Sequence, residues 1–191
     1  VMAAFTEWLK YALLEVQEYT KLAIATARCA VTRPFYWHDF VEQLDAIGIG
    51  SMTVVILTGL FTGAVLALQT GFTLDQFGAR PFVGRLVSAS MVKELGPVLT
   101  ALMLAGRVSS GIAAEIGSMM VTEQVSALRA LGTDPVRKLV VPKLAATLVM
   151  LPALTALGDL LGILGGLVVA VLQLGLTPAF YLNDVLSELT L

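Results

Sequence analysis

Residues 46–74 contain no charged side chain. About 20 apolar residues suffice to cross a bilayer as a helix, so this stretch makes one crossing with some tilt, placed at 46–70. A second apolar segment, 86–117, is interrupted by Lys93, Glu94, Arg107 and Glu115, with Pro97 near its start. A third, 139–174, holds a single charge after Lys143, at Asp159, and carries Pro142 and Pro152 as potential kinks. Such prolines are tolerated in spans where neighbouring helices re-satisfy the backbone. Glycines recur within these segments at four-residue steps. Gly59 and Gly63 lie in the first; Gly106 and Ser110, continued by Ala114 and Ser118, in the second; Gly158, Gly162 and Gly166 in the third. Strips of small residues let helix backbones approach closely, so these positions are the expected packing faces.

The flanking segments have a different pattern. In residues 3–31, Phe5, Trp8, Leu9, Ala12, Leu13, Val16, Ala23, Ile24 and Ala27 recur at three- and four-residue steps, with charges of both signs mostly on the other side. This is an amphipathic helix suited to the membrane interface, or one packed on a soluble partner. Pro34 ends it, and Phe35, Tyr36 and Trp37 follow as an aromatic elbow, which closes the 1–37 unit. Residues 118–138 are polar and turn-rich. Val121, Val125, Leu128 and Leu131 share one side of a short helix, Gly132 stops it, and Asp134 with Pro135 opens the next. Residues 175–191 form a last, partly apolar segment.

Composition agrees with this pattern. The chain has 191 residues, 57% of them hydrophobic and 14% charged, and a mean hydropathy of +0.86. Soluble domains carry about 25% charged residues, so lipid is the expected solvent for this apolar surface. A net charge of −2 gives no reason to expect a nucleic-acid partner. A single cysteine, Cys29, excludes an internal disulfide. With a single histidine, His38, beside it, no metal site is expected. Glu7, Glu15 and Glu18 interrupt the apolar core that a secretory signal needs. The chain stops inside the helix-like run Phe180 to Leu191, and so reads as a fragment of a longer protein.

Basic residues set the orientation. Lys10, Lys21, Arg28 and Arg33 precede the first span, and Arg129, Arg137, Lys138 and Lys143 lie in or next to the 118–138 connection. The 71–85 connection has only Arg80 and Arg85. The positive-inside rule then places the N-terminus and the 118–138 connection in the cytoplasm, and the 71–85 loop and the tail outside. Three crossings alternate correctly in that arrangement. A short helix on the cytoplasmic side can dock in a partner's groove, although an ordinary surface helix has the same pattern.

Residues 93–135, KELGPVLTALMLAGRVSSGIAAEIGSMMVTEQVSALRALGTDP, resemble the signature stretch of the MlaE/YrbE permease family, the membrane subunits of MCE-type ABC lipid transporters. FTGAVLALQ, Phe61 to Gln69, is similar to that family's first span, and FVEQLDAIGIGSM, Phe40 to Met52, to the segment leading into it. The resemblance implies an all-α, polytopic helix bundle with an interfacial amphipathic helix, one permease domain taken from a five-span whole. It implies a permease in the inner membrane that acts beside a second copy of itself and moves phospholipids or related lipids. It further implies a cytoplasmic ABC ATPase that holds ATP and Mg, an MCE-domain partner on the outer face and, in some assemblies, a STAS-domain protein. The chain itself would bind no cofactor. By the same resemblance Glu123, Gln124, Leu128, Arg129 and Leu131 form the ATPase-coupling helix.

The charges inside the spans are the remaining candidates. Intramembrane charges usually face a bundle interior or a water-filled cavity. Lys93, Glu94 and Arg107 are accordingly candidates for a lipid cavity or gate, with snorkelling of Lys93 and Glu94 to the headgroups as the other reading. Arg107 also suits pairing with a carboxylate on a span missing from this chain, or contact with a lipid phosphate. Asp159 suits a helix–helix hydrogen bond better than a proton relay. Two other classes of function compete. An ion-coupled secondary transporter wants charges on several spans and an inverted repeat, and no such repeat is found. A membrane-embedded enzyme wants a nucleophile with its base inside a span, and His38 lies outside them. No phosphate-cradling GxxxxGK[ST] loop occurs, which fits hydrolysis by a separate subunit.

Overall fold

The computed structural model describes residues 2–31 and 36–189. Pro34 and Phe35, expected to end the first helix and turn the chain, lie outside the described residues. The elements in order are α1 (Met2–Val31), α2 (Trp37–Asp75), a 3-10 turn (Arg80–Phe82), α3 (Val83–Ser90), a π turn (Met91–Leu95), α4 (Gly96–Val121), α5 (Gln124–Ala130), a second π turn (Val136–Val140), α6 (Val141–Leu172) and α7 (Pro178–Leu189). No strand occurs among the described residues. The protein is all-α.

Three stretches are long and apolar enough to cross a membrane: Trp37–Asp75, Arg80–Val121 and Val136–Leu172. Each outruns the apolar segment inside it. The 39 residues of α2 measure about 58 Å at 1.5 Å per residue, against a hydrocarbon core of ~30 Å. The helix therefore begins well before its uncharged run, because Asp39 in its first turn complements the helix dipole.

Both π turns have the same cause. Met91–Leu95 is followed by Gly96 and Pro97, and Val136–Val140 by Val141 and Pro142. A proline ring clashes with the carbonyl four residues back and offers no N–H. Here those carbonyls belong to Lys93 and Lys138. The wider turn moves them aside, and the Gly96 and Val141 N–H groups bond to the Met91 and Val136 carbonyls instead. Pro142 thus acts through a π turn, whereas α6 continues through Pro152.

The chain divides into two compact units. One comprises Val1–Gln43 and Ile116–Ala146, the other Leu44–Glu115 and Thr147–Leu191. In the second unit, α2 and α6 meet along their glycines. A Cβ on Gly59 would stand 2.7 Å from the Gly158 carbonyl oxygen, and one on Gly63 would overlap the Gly162 carbonyl. Gly166 lies beneath the Tyr181 hydroxyl, where a Cβ would come within 2.5 Å. One core cluster gathers Ala67, Val83, Val87, Met91, Ala170, Tyr181 and Val185, and so seats α3 and α7 on the two long helices. A second joins Val55, Leu104 and Leu154.

The strip from Gly106 to Ser118 packs on no other helix among the described residues. Gly106, Ser110, Ala114 and Ser118 are all exposed, and a Cβ on Gly106 would meet nothing within 4 Å. The buried side of α4 is Gly96, Thr100 and Leu104 instead. Two residues beyond Leu104, at 100° per residue, Gly106 falls on the opposite face. Small residues permit close packing but do not select which face packs.

Candidate functional site

In the first unit, the connection between α4 and α6 is built by its own turns. Glu123 has φ 57°, a left-handed conformation, and its carbonyl accepts from the Ala127 N–H at 3.0 Å. It is therefore the cap before α5 and not a member of the helix, which corrects the expected Glu123–Leu131 extent. Leu131 is the corresponding residue at the other end. Gly132, at φ 75°, then lets the Thr133 N–H bond to the Leu128 carbonyl at 3.0 Å, which ends the helix. The Asp134 carboxylate accepts from the Val136 N–H at 3.0 Å and so starts the next helical stretch at Val136, three residues before the apolar run. Val125 and Leu128 are half-buried, while Glu123, Gln124, Arg129 and Leu131 are exposed. Val121 and Leu131, at 85% and 80% exposure, leave an apolar edge uncovered beside these polar side chains.

The same unit holds two lysines by polar contacts. Lys138 Nζ lies 2.6 Å from Asp39 Oδ2 and 4.6 Å from the centre of the Tyr36 ring. Lys143 is buried, and its Nζ donates to Gln43 Oε1 at 3.1 Å. His38, Asp39 and Glu42 bring their potential ligand atoms within 4.8 Å of one another, but Asp39 is already committed to Lys138.

In the second unit, the charges of the spans reach partners that the sequence did not indicate. Arg107 Nη1 donates to Ser51 Oγ of α2 at 2.7 Å. Gly50 makes room for it, since a Cβ there would stand 3.0 Å from Arg107 Nη2. Lys93 is 65% exposed, and its Nζ reaches Glu188 Oε1 of α7 at 2.6 Å. Glu94 is exposed and makes no polar contact among the described residues. Asp159 is a further correction. Its Oδ1 is buried without a hydrogen-bond partner and presses on Gly96, where a Cβ would overlap it. The Gly96 N–H is spent on the Met91 carbonyl.

Around Glu188 the polar groups form a network that sequence reasoning missed. The Arg85 N–H donates to Asp184 Oδ2 at 2.6 Å, and Arg85 Nη2 donates to Ser187 Oγ at 3.0 Å. Arg85 Nε stands 3.8 Å from both Asp184 Oδ1 and Glu188 Oε2. The hydrogen bond from Lys93 holds the Glu188 carboxyl below its usual range, with burial opposing and the charges of Lys93 and Arg85 assisting. Burial, assisted by Asp184, raises the pKa of the Tyr181 phenol. The only signal in the sequence was the spacing of Asp184, Ser187 and Glu188, three and four residues apart on one helical face. Close by, Phe61, Thr62, Val65, Leu66, Gln69 and Leu95 line an open, mostly apolar groove of about 380 Å³.

Three span-capable helices, apolar walls and a few polar tethers between helices describe a multi-pass helical membrane protein. Comparison with known proteins gives the family. The Permease MlaE family model matches residues 40–191. A Rickettsia bellii protein named "Probable ABC transporter permease protein" is 40% identical over 174 residues, covering 91% of this chain and 67% of its own length. A Synechocystis protein with a similar name is 43% identical over 145 residues, 76% of this chain and 55% of its own. The Haemophilus influenzae "Intermembrane phospholipid transport system permease protein MlaE" is 43% identical over 131 residues, 69% of this chain and 50% of its own. The chain belongs to the MlaE permease family. It spans between half and two thirds of the length of these relatives.

Proposed function

We propose that this chain is the core of the permease subunit of an ATP-driven transporter that moves phospholipids or related lipids. The observation that carries the reading is the α4–α6 connection: a seven-residue helix, bounded by left-handed backbone at Glu123 and Gly132, between two spans. A rigid, exposed lever of this kind suits a partner that must push on both spans at once. Glu123, Gln124 and Arg129 offer it charge and hydrogen bonds, and Leu128 and Leu131 an apolar contact. The relatives' names, ABC transporter permease and phospholipid transport permease, support the same reading.

In this reading the ATPase is a separate cytoplasmic subunit that holds ATP and Mg, and the permease has no chemistry of its own. A second copy, an MCE-domain protein and a STAS-domain protein are the other proposed partners. The protein lies in the inner membrane with its N-terminus in the cytoplasm, as the excess of Lys and Arg around the α4–α6 connection supports. The groove lined by Phe61, Val65 and Leu95 suits an acyl chain, and the exposed Glu94 and Arg107 remain the candidates to meet a lipid headgroup.

Affinity purification of the full-length protein tests this. It should bring down a nucleotide-hydrolysing subunit together with bound phospholipid, identified by mass spectrometry. The double reversal Glu123→Lys with Arg129→Glu should release the ATPase and leave the permease folded. Retention of the ATPase by that variant would remove α5 as the coupling element.

A further inference from the structure

The two proline-linked π turns share more than their origin. Each carries a lysine at its third position, Lys93 and Lys138, four residues before the proline. Each lysine meets a carboxylate of another helix at 2.6 Å, Glu188 of α7 and Asp39 of α2. A π turn inserts one residue into the helical repeat, so it decides which way the following side chains face. Such turns are weak points in the helical ladder and frequently coincide with functional sites.

The Met91–Leu95 turn is gripped from one side and unsettled from the other. Glu188 stands between Lys93 in the turn and Arg85 on the preceding α3. On the other side, Gly96 bears on the buried, unpartnered Oδ1 of Asp159. A buried polar atom without a partner disfavours the packed arrangement that holds it. We propose that the Lys93–Glu188 ion pair is a releasable latch: closed, it holds the π turn against α7; open, it frees the turn, whose backbone hydrogen bonds then fray. The latch is independent of what the protein carries.

Hydrogen exchange by mass spectrometry on the full-length protein in nanodiscs reads the turn directly. In Glu188→Gln and in Lys93→Met, amides of residues 91–96 should exchange about tenfold faster than in the parent. Amides of residues 50–66 in α2 should not change. Lys93→Arg, which keeps the charge, should stay at the parent rate, and the double variant should exchange no faster than either single one. Lys93 is exposed, so Lys93→Met carries the test even where Glu188→Gln fails to fold. Parent-like exchange of 91–96 in Lys93→Met would overturn the latch. So would rates in the double variant equal to the product of the two single effects, since the residues would then act separately.

Discussion

Gly63 of α2 lies against the backbone carbonyl of Gly162 in α6, so closely that the two residues leave no room for a methyl group between them. Four residues earlier on each helix, Gly59 and Gly158 repeat the contact. At this seam two of the three spans meet main chain against main chain. Gly63→Ala should therefore destabilise the protein by about 1–3 kcal/mol through overpacking, in spite of the better helix propensity of alanine. Gly106→Ala, with nothing near it, should be neutral or stabilising by up to about 1 kcal/mol. Thermal unfolding in one detergent ranks the two, and an equal effect at both positions would contradict the seam.

The Arg107–Ser51 hydrogen bond predicts coupling between α4 and α2. Hydrogen bonds to a charged group contribute about 1.5–3 kcal/mol. A double-mutant cycle with Arg107→Met and Ser51→Ala should recover an interaction energy at the lower end of that range, because the guanidinium is partly exposed. Additive effects within about 0.5 kcal/mol would mean that the bond contributes nothing to stability.

Glu188 predicts a pH dependence. Its folded pKa lies below the ordinary carboxyl value of 4.5, first because Lys93 donates a hydrogen bond to it. A depressed carboxyl stabilises the fold at pH values above the unfolded pKa and loses that contribution as pH falls through the folded one. The melting temperature should therefore hold near neutral pH and fall below about pH 4.5, and it should fall less steeply in Glu188→Gln. Identical slopes for parent and variant would show that Glu188 is not the group that titrates.

Glu123 separates stability from coupling. A left-handed backbone strains an ordinary residue by roughly 1–2 kcal/mol, and glycine relieves it. Against this stands roughly 0.4–1 kcal/mol of added chain entropy when unfolded. Glu123→Gly should raise stability by up to about 1 kcal/mol and at the same time weaken ATPase retention. Unfolding and copurification measured on one variant check both halves.

The spans were legible because they are long and mostly apolar, the first of them uncharged between Asp45 and Asp75. Gly132 and Asp134 were legible because helix ends have local chemistry. The family was legible in the run from Lys93 to Pro135. What stayed hidden was pairing at a distance. Nothing near Arg107 points to Ser51, 56 residues away, and nothing near Lys93 points to Glu188, 95 residues away. The glycine strips illustrate the same limit: those of α2 and α6 meet, whereas the one in α4 is exposed. The π turns were foreshadowed only by Pro97 and Pro142, which indicate a defect in the helix but not its form.

The side of the membrane on which α5 lies decides the account most directly. A Gln124→Cys variant of the full-length protein, with Cys29→Ser to remove the native thiol, can be treated in intact cells with a membrane-impermeant maleimide. Gln124 is exposed, so its thiol is open to reagent. Labelling should be absent in intact cells and complete once the inner membrane is permeabilised. Full labelling in intact cells would put the lever outside, beyond the reach of any cytoplasmic ATPase.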